Sequence, residues 1–401
     1  MRSPLVLLAA ALPLAAAAEV RVGLEEIERE RGGLLRGKRV GLVVHAASVT
    51  AAGRHAVDVL RGQGLEVRRL FSPEHGLRSR AAAGEKVPSG IEPATGLTLV
   101  SLYGEKSRPA AEDLRDLDAL VVDFQDAGVR FYTYVSSMLL CLEAAAEAGI
   151  EIVVLDRPNP LGGERIEGPE RQPGAVPESL VNMAPGPLVH GLTMGEMARF
   201  ANARRARPAR LTVVPMKGWK RDMVWAATGR AWVAPSPNLR SAEAALAYPG
   251  VALLEATNVS EGRGTEAPFL LLGAPWLKAD ALARAVAAPG FRLSAAVFTP
   301  RASEAATTPK FLGVECAGLR VTVTDAREAR PYTLGVALVH ALRRLHPEFR
   351  LRDDGAVLDR LLGTRAVREA LEAGASVDAI VGMDASAGKR FRRERAGALL
   401  Y

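Results

Sequence analysis

Residues 119–160 read ALVVDFQDAGVRFYTYVSSMLLCLEAAAEAGIEIVVLDRPNP, and the fold turns on this stretch. Ala119–Val122 is a short apolar run without polar alternation, the pattern of a strand buried on both faces. Tyr134–Ala148 sets Tyr134, Met138, Cys141 and Ala145 along one helical face. Gly149 ends that helix as a C-cap that tolerates positive φ. Glu151–Leu155 is a second apolar run. Strand, helix and strand in this order form a crossover whose two strands lie parallel in one sheet.

The same alternation extends in both directions. Upstream, Arg39–Val44, Val67–Phe71 and Leu97–Leu102 read as strands, and Arg54–Arg61 and Ala111–Leu117 as helices. Downstream, residues 157–192 are rich in Pro and Gly and read as a long irregular tract, a length usually reserved for function. Thr193 with Glu196 forms a capping-box pattern for a helix over Met194–Ala203, and Arg210–Met216 reads as a further strand. The Pro-rich segment WVAPSPNLRS (232–241) marks a candidate boundary. The expectation is a Rossmann-like α/β domain with a mostly parallel sheet over 19–244, then a smaller α/β domain over 245–401. In the second unit the expected elements are strands at Val251–Glu255 and Leu319–Thr324, and helices at Leu334–Leu345, Ala356–Leu362 and Arg365–Ala373.

Met1-Arg2 followed by the uncharged run Leu5–Ala18 reads as a secretory signal peptide over 1–18, cleaved near Ala18–Glu19. The run is short for a membrane span and no Cys follows it, so no stable membrane anchor is expected. The chain has 401 residues and a formal charge of +7, which suits an anionic polymer such as a cell wall. Lys and Arg are spread along the chain rather than gathered in a stripe, which argues against nucleic acid. The densest cluster, KRFRRER (389–395), reads as a solvated helix face. Cys141 and Cys316 are too far apart in sequence to suggest a disulfide framework or a metal motif.

In open parallel sheets ligands bind outside the carboxyl ends of the strands. Those ends carry Glu74-His75, Tyr103, Asp123-Phe124-Gln125-Asp126 with Arg130 and Tyr132, Asp156-Arg157 with Asn159, and Asn258 through Glu261 and Arg263. Glu74 sits on a tight loop between Pro73 and Gly76, where a carboxyl against apolar walls can act as a general acid. Asp123 and Asp126 can divide acid and base roles, or one can cap the turn that follows. Arg130 and Arg157 can clamp an anion or pair with those aspartates. Glu261 and Arg263 can be catalytic or can form a salt bridge that shapes their Gly-rich loop. Tyr103 and Tyr132 can offer ring faces to a sugar, whereas Tyr134 reads as core. The first strand continues as VVHAASVTAAG, without GxGxxG, so no dinucleotide is expected. No P-loop, GxSxG elbow or HExxH motif occurs, so neither a cofactor nor a metal is implied.

FSPEHG (71–76), SLYG (101–104), DFQDAGVRFYTY (123–134), LDRPNPLGG (155–163), EGP (167–169), PSPN (235–238), TNVSEGRGT (257–265) and the closing LLY (399–401) occur in this order. Together they resemble the family once designated DUF1343 and now represented by exo-β-N-acetylmuramidases, from about Val22 to Tyr401. The resemblance implies a glycoside hydrolase that releases N-acetylmuramic acid from the non-reducing end of peptidoglycan fragments, in a cleft between two domains. It places the catalytic carboxyl on Glu74, with Asp123, Asp126 or Glu261 as base, nucleophile or charge stabiliser. It gives His75, Tyr103, Gln125, Asp126, Arg130, Tyr132, Asn159, Asn258 and Arg263 to the sugar site. HAAS (45–48) stands where the resemblance leads to an Asn-Pro-containing loop, so the rim differs there. Hydrolysis of another amino sugar or an amide, and wall binding without catalysis, stay open on the residues alone.

Overall fold

The computed structural model describes residues 19–401, so the signal peptide expected at 1–18 lies outside the described residues. Strands β1 (Arg39–Val44), β2 (Glu66–Ser72), β3 (Gly90–Ile91), β4 (Thr98–Ser101), β5 (Ala119–Asp123) and β6 (Glu151–Leu155) come first. They are followed by β7 (Glu167–Glu170), β8 (Pro187–Val189) and β9 (Arg210–Val214). Seven of these form one sheet in the order β3-β4-β2-β1-β5-β6-β9, with only the edge strand β3 antiparallel. Counting its six parallel strands along the chain gives 3-2-1-4-5-6, the doubly wound order with its switch point between β1 and β5.

Residue alternation explains the two layers. Val40, Leu42 and Val44 of β1 pack into one hydrophobic cluster with Leu24, Ile27, Val57 and Leu60. Val43 and Val122 face the other way, into a cluster with Met138, Leu142 and Met197. The helix Thr133–Ala148 lies in this second layer and ends at Gly149 in a left-handed conformation, as its sequence predicts. The capping box at Thr193 is formed and starts the helix Met194–Asn202.

The second layer continues into the C-terminal part, where β10 (Leu271–Ala274), β11 (Phe291–Phe298) and β12 (Cys316–Val323) form an antiparallel sheet in the order β10-β12-β11. The strand expected at Val251–Glu255 is absent. Ala242–Val251 is a helix, and Ala252–Ala256 continues it as a 3-10 turn. VALLE is apolar because this helix end is buried all round, and a short apolar run does not distinguish a buried strand from a buried helix. The irregular tract 157–192 does hold regular structure, a small antiparallel pair of β7 and β8. Both cysteines are buried and unpaired. Among the described residues no helix is long and apolar enough to cross a membrane.

Two contacts tie the ends of the chain to the sheet. Asp156, just beyond β6, accepts hydrogen bonds from the Thr193 hydroxyl (2.7 Å), the Gly195 amide (2.8 Å) and the Tyr401 hydroxyl (2.8 Å). The Tyr401 ring stands edge-on to Trp219 at 5.1 Å. The helix 242–251 crosses the helix Pro331–Leu345 where Gly250 meets Gly335, and a Cβ on Gly335 would lie 2.7 Å from the Gly250 Cα and carbonyl oxygen. Those are backbone atoms and cannot swing aside. We therefore expect Gly335→Ala to lower stability by roughly 1–3 kcal/mol despite alanine's better helix propensity. Thermal unfolding of the variant beside the parent checks this, and an unchanged or raised Tm would refute the packing argument.

Candidate active site

β2 runs into Pro73-Glu74-His75-Gly76. His75 (φ 70°) and Gly76 (φ 73°) are both left-handed, so the chain reverses within two residues. That conformation costs a non-glycine residue roughly 1–2 kcal/mol. The turn is held by the His75 carbonyl, which accepts from the amides of Arg80 (3.1 Å) and Ala81 (3.3 Å). The imidazole Nδ1 lies 2.7 Å from the Ala81 carbonyl, which assigns the proton to Nδ1 and leaves Nε2 as an acceptor. Burial lowers the pKa of this ring further than the Glu74 charge raises it, which keeps the imidazole neutral.

The Glu74 side chain is buried among donors. Oε1 accepts from the Gly84 amide (2.9 Å) and Oε2 from the Thr133 hydroxyl (2.8 Å) at the start of the helix 133–148. A hydroxyl can donate to a carboxylate or accept from a carboxylic acid, so Thr133 accommodates Glu74 in either protonation state. The Tyr134 hydroxyl donates to the Pro235 carbonyl (2.7 Å), with the Glu74 carbonyl at 3.1 Å, and so fixes the loop from below. Burial first, and then the Glu74 charge, push the Tyr103 phenol up to about 12.

Glu74 opens on a small cleft of about 100 Å³ walled by His75, Tyr132, Asn238, Tyr248, Arg263 and Phe269. Tyr248 stacks edge-on against both Phe269 (4.7 Å) and Tyr132 (6.1 Å), so the floor is aromatic. Tyr132 Oη and Asn238 Oδ1 are buried there without a hydrogen-bond partner among the described residues. Orphaned polar atoms in a cleft wall are costly unless a ligand or water completes them. A second cavity of about 280 Å³ shares the walls Ala83, Glu255 and Arg263 with the first and adds Glu261, Lys310 and Arg352.

Charge in this cleft is closely matched. Arg263 pairs with Glu255 (2.8 Å) and Glu261 (3.3 Å) and lies over the Phe269 ring at 5.1 Å. Lys310 donates to Glu261 (3.0 Å) and to the carbonyls of Leu254 and Val259. Burial alone would push the Glu261 pKa up, but Lys310 and Arg263 together outweigh it and hold the carboxyl below its usual range. Glu261 is thus a fixed anion, suited to steadying positive charge and unsuited to giving a proton.

The other strand-end residues lie outside this space. Asp123 is fully buried, with its oxygens on Arg157 Nε (2.5 Å) and Nη2 (2.8 Å), so of the two readings of Arg157 the structural pair holds. Asp123 does not line the cleft, so it is not placed for nucleophilic or basic work there. Asp126 caps the Gly128 amide (2.9 Å), and burial pushes it up to about 7. His190 lies 3.8 Å from Asp126, but burial takes that imidazole down to about 3, so the two do not form an ion pair at neutral pH. Gln125 donates to the carbonyls of Asp126 and Pro158 (3.0 and 2.9 Å), and its amide N–H reaches His45 Nε2 (3.0 Å). Asn159 clasps its own loop through Leu161 and Leu192 (both 2.9 Å). Asn258 joins two loops through Glu348 and Arg350 (2.8 and 2.9 Å). Arg130 is spent on three backbone carbonyls, those of Pro169, Gly186 and Leu362. The geometry therefore assigns Asp123, Gln125, Asp126, Arg130, Asn159 and Asn258 to building the site rather than touching a ligand in it.

The switch-point crevice where a doubly wound fold would seat a nucleotide is filled by side chains. The buried His45 ring packs edge-on against Tyr134 (5.0 Å) and Phe124 (5.6 Å). Among the described residues no group of three or more His, Cys, Asp or Glu is arranged to hold a metal ion. A larger surface concavity, about 610 Å³, lies elsewhere, between Leu161, Arg221 and Arg330. It contains neither Glu74 nor any other catalytic candidate, so we place the site at the smaller cleft.

Comparison with known proteins agrees with this architecture. The chain matches the family described as exo-beta-N-acetylmuramidase NamZ, its N-terminal part over residues 40–243 and its C-terminal part over 246–401. The chain belongs to that family. It is 39% identical over 388 residues to a Bacillus subtilis protein named peptidoglycan beta-N-acetylmuramidase NamZ, covering 96% of this chain and 92% of the relative. Two crystal structures of DUF1343 family proteins from Bacteroides fragilis superpose with TM-scores of 0.85 and 0.79, at 30% and 31% identity. Each covers 96% of this chain and 99% of the neighbour.

Within the NamZ family motifs quoted from the sequence, chemistry and construction are interleaved. FYTY supplies Tyr132 and Thr133 to the cleft and Tyr134 beneath it, while PSPN supplies Ser236 and Asn238. Thr133, Ser236, Asn238, Tyr248, Glu255 and Phe269 are the cleft residues that the sequence reading left unassigned. Four of them sit inside or beside quoted motifs. Glu255 ends the stretch expected to be a strand, and Tyr248 lies three residues before that stretch begins.

Two outcomes follow for residues that build the site. Asp123→Ala strands a buried Arg157 and should cost about 3–5 kcal/mol in chemical unfolding. A loss below 1 kcal/mol would show the pair to be dispensable. Asp126 has a folded-state pKa above its unfolded value, so its stability contribution is full below about pH 4 and is lost as pH rises through about 7. Asp126→Asn should therefore flatten the fall in stability between pH 4 and 7, measured as unfolding midpoints across that range. A parallel profile in the variant would contradict the assigned pKa.

Proposed function

We propose that the protein is an exo-acting glycoside hydrolase that releases N-acetylmuramic acid from the non-reducing end of peptidoglycan fragments. The observation that carries this is Glu74, a buried carboxyl on a strained turn. It faces a cleft with an aromatic floor and two polar atoms that lack protein partners. Aromatic rings suit the apolar face of a sugar, and Asn238 Oδ1 and Tyr132 Oη suit its amide and hydroxyl groups. Membership of the NamZ family and the name of the Bacillus subtilis relative, a peptidoglycan beta-N-acetylmuramidase, support the same substrate.

Glu74 acts as general acid, giving its proton to the glycosidic oxygen as positive charge grows on the ring. Thr133 turns from acceptor to donor as the carboxyl ionises. Glu255, with one oxygen on Arg263, is the second carboxylate on the cleft wall and takes the water-activating or charge-stabilising part. His75 Nε2, a neutral acceptor, orients a sugar hydroxyl. Glu261 contributes fixed negative charge behind Arg263 and Lys310. We also take the chain to be exported by its N-terminal leader, so that it meets wall fragments outside the cytoplasm.

The test is hydrolysis of a chromogenic β-N-acetylmuramide, with the matching β-N-acetylglucosaminide as control. The parent should cleave the muramide preferentially. Glu74→Gln should lose at least about 10³-fold in kcat while keeping its Tm, since glutamine preserves the bonds to Gly84 and Thr133 but has no acidic proton. Full turnover in a folded Glu74→Gln variant would remove Glu74 from the chemistry. Cleavage of neither glycoside, with wall fragments still bound, would favour a binding role.

A further inference from the structure

We propose that Arg352 recognises a carboxylate on the bound sugar, and thereby sets the preference for N-acetylmuramic acid over N-acetylglucosamine. The two sugars differ at C3, where muramic acid carries a lactyl ether ending in a carboxylate and glucosamine a hydroxyl. The inference rests on the muramidase reading above.

Charge accounting singles out this residue. The cations on the two joined cavities are Arg263, Lys310 and Arg352, since His75 is held neutral. Arg263 is neutralised by Glu255 and Glu261, and Lys310 has its three donors on Glu261, Leu254 and Val259. Arg352 has no carboxylate at ion-pairing distance among the described residues. Its one protein bond runs from Nη1 to the Glu255 carbonyl at 3.2 Å. A guanidinium has five N–H donors in a planar fork, so an edge of Arg352 stays free for bidentate binding.

The backbone supports the same assignment. Asp353 (φ 48°, ψ 48°), Asp354 (φ 49°, ψ 33°) and Gly355 (φ 88°) form three successive left-handed residues immediately after Arg352. Two of them are not glycine, and such conformations persist only where surrounding structure imposes them, most often beside binding sites. The turn delivers Arg352 to the wall that also holds Glu255 and Arg263, one cavity away from Glu74. With the scissile bond at C1 over Glu74, the C3 substituent is directed into the neighbouring space across the shared wall of Glu255 and Arg263. An anion entering there meets two neutralised cations and one uncompensated cation.

The experiment compares kcat/KM for a chromogenic β-N-acetylmuramide and for its lactyl methyl ester, which has the same shape without the charge. The wild-type chain should prefer the free acid by about 10- to 100-fold, the range of a charge-assisted bidentate contact. In Arg352→Met that ratio should collapse towards one, chiefly through KM, with Tm unchanged because the side chain is exposed. Arg352→Lys keeps the charge and should hold an intermediate ratio. An acid-to-ester ratio in Arg352→Met equal to that of wild type, or no preference in wild type, overturns the assignment while leaving the muramidase reading intact. Failure of wild type to cleave either muramide rejects that reading itself.

Discussion

A buried guanidinium without an acidic partner holds the two parts of this chain in register. Arg130 is completely enclosed, and its two terminal nitrogens donate to carbonyl oxygens, those of Pro169 (2.8 Å) and Gly186 (2.9 Å) on one side and Leu362 on the other. Burial lowers its pKa to about 10, which still leaves it charged at any physiological pH. Carbonyl dipoles fix a guanidinium by direction as well as distance, so the helix end at Leu362 has one place to sit. Three residues along from Arg130, Thr133 supports Glu74, while Tyr248, Glu255, Arg263 and Phe269 approach from the C-terminal part. The cleft exists because both sets are held at fixed separation, while the Gly250–Gly335 helix crossing braces the C-terminal set internally.

Carboxylates here are sorted by what surrounds them. Asp123 and Glu261 are buried beside cations, and Lys310 and Arg263 hold the Glu261 carboxyl below its usual range. Asp126 and Asp156 are buried among neutral donors, and desolvation raises them to about 7 and about 6. Glu74 alone combines burial, neutral donors and an opening onto the cleft. These five acidic residues thus differ in their electrostatic setting because of their neighbours rather than their residue type.

The sheet was legible because parallel strands buried on both faces are nearly continuous apolar runs, and β1, β5 and β6 carry no competing signal. VALLE at 251–255 misled because complete burial erases helical amphipathicity as thoroughly as it erases strand alternation. Glu74 and His75 were legible through their Pro-flanked turn, a local feature. Asp123 was not, since its partner Arg157 lies on a different strand end, and only the β5–β6 pairing brings the two together. Asn238 reveals itself through an unpaired oxygen, a property that exists only once Ala305 and the cleft walls are in place. Motif order carried the family, and geometry divided its residues between chemistry and construction.

The bond from Tyr401 to Asp156 spans 245 residues, and the Leu400 amide likewise reaches back to Glu196 (3.0 Å). Asp156 stands at the end of β6, next to the edge strand β9 of the parallel sheet, and Tyr401 provides one of its three main donors. The doubly wound half is therefore closed in part by a residue of the other half. Its hydrogen bonding closes only after the entire C-terminal part has been synthesised and laid across it. Long-range closure of this kind raises contact order and slows folding. In the folded protein it makes Leu400 and Tyr401 a latch, so that their release is felt at the end of β6.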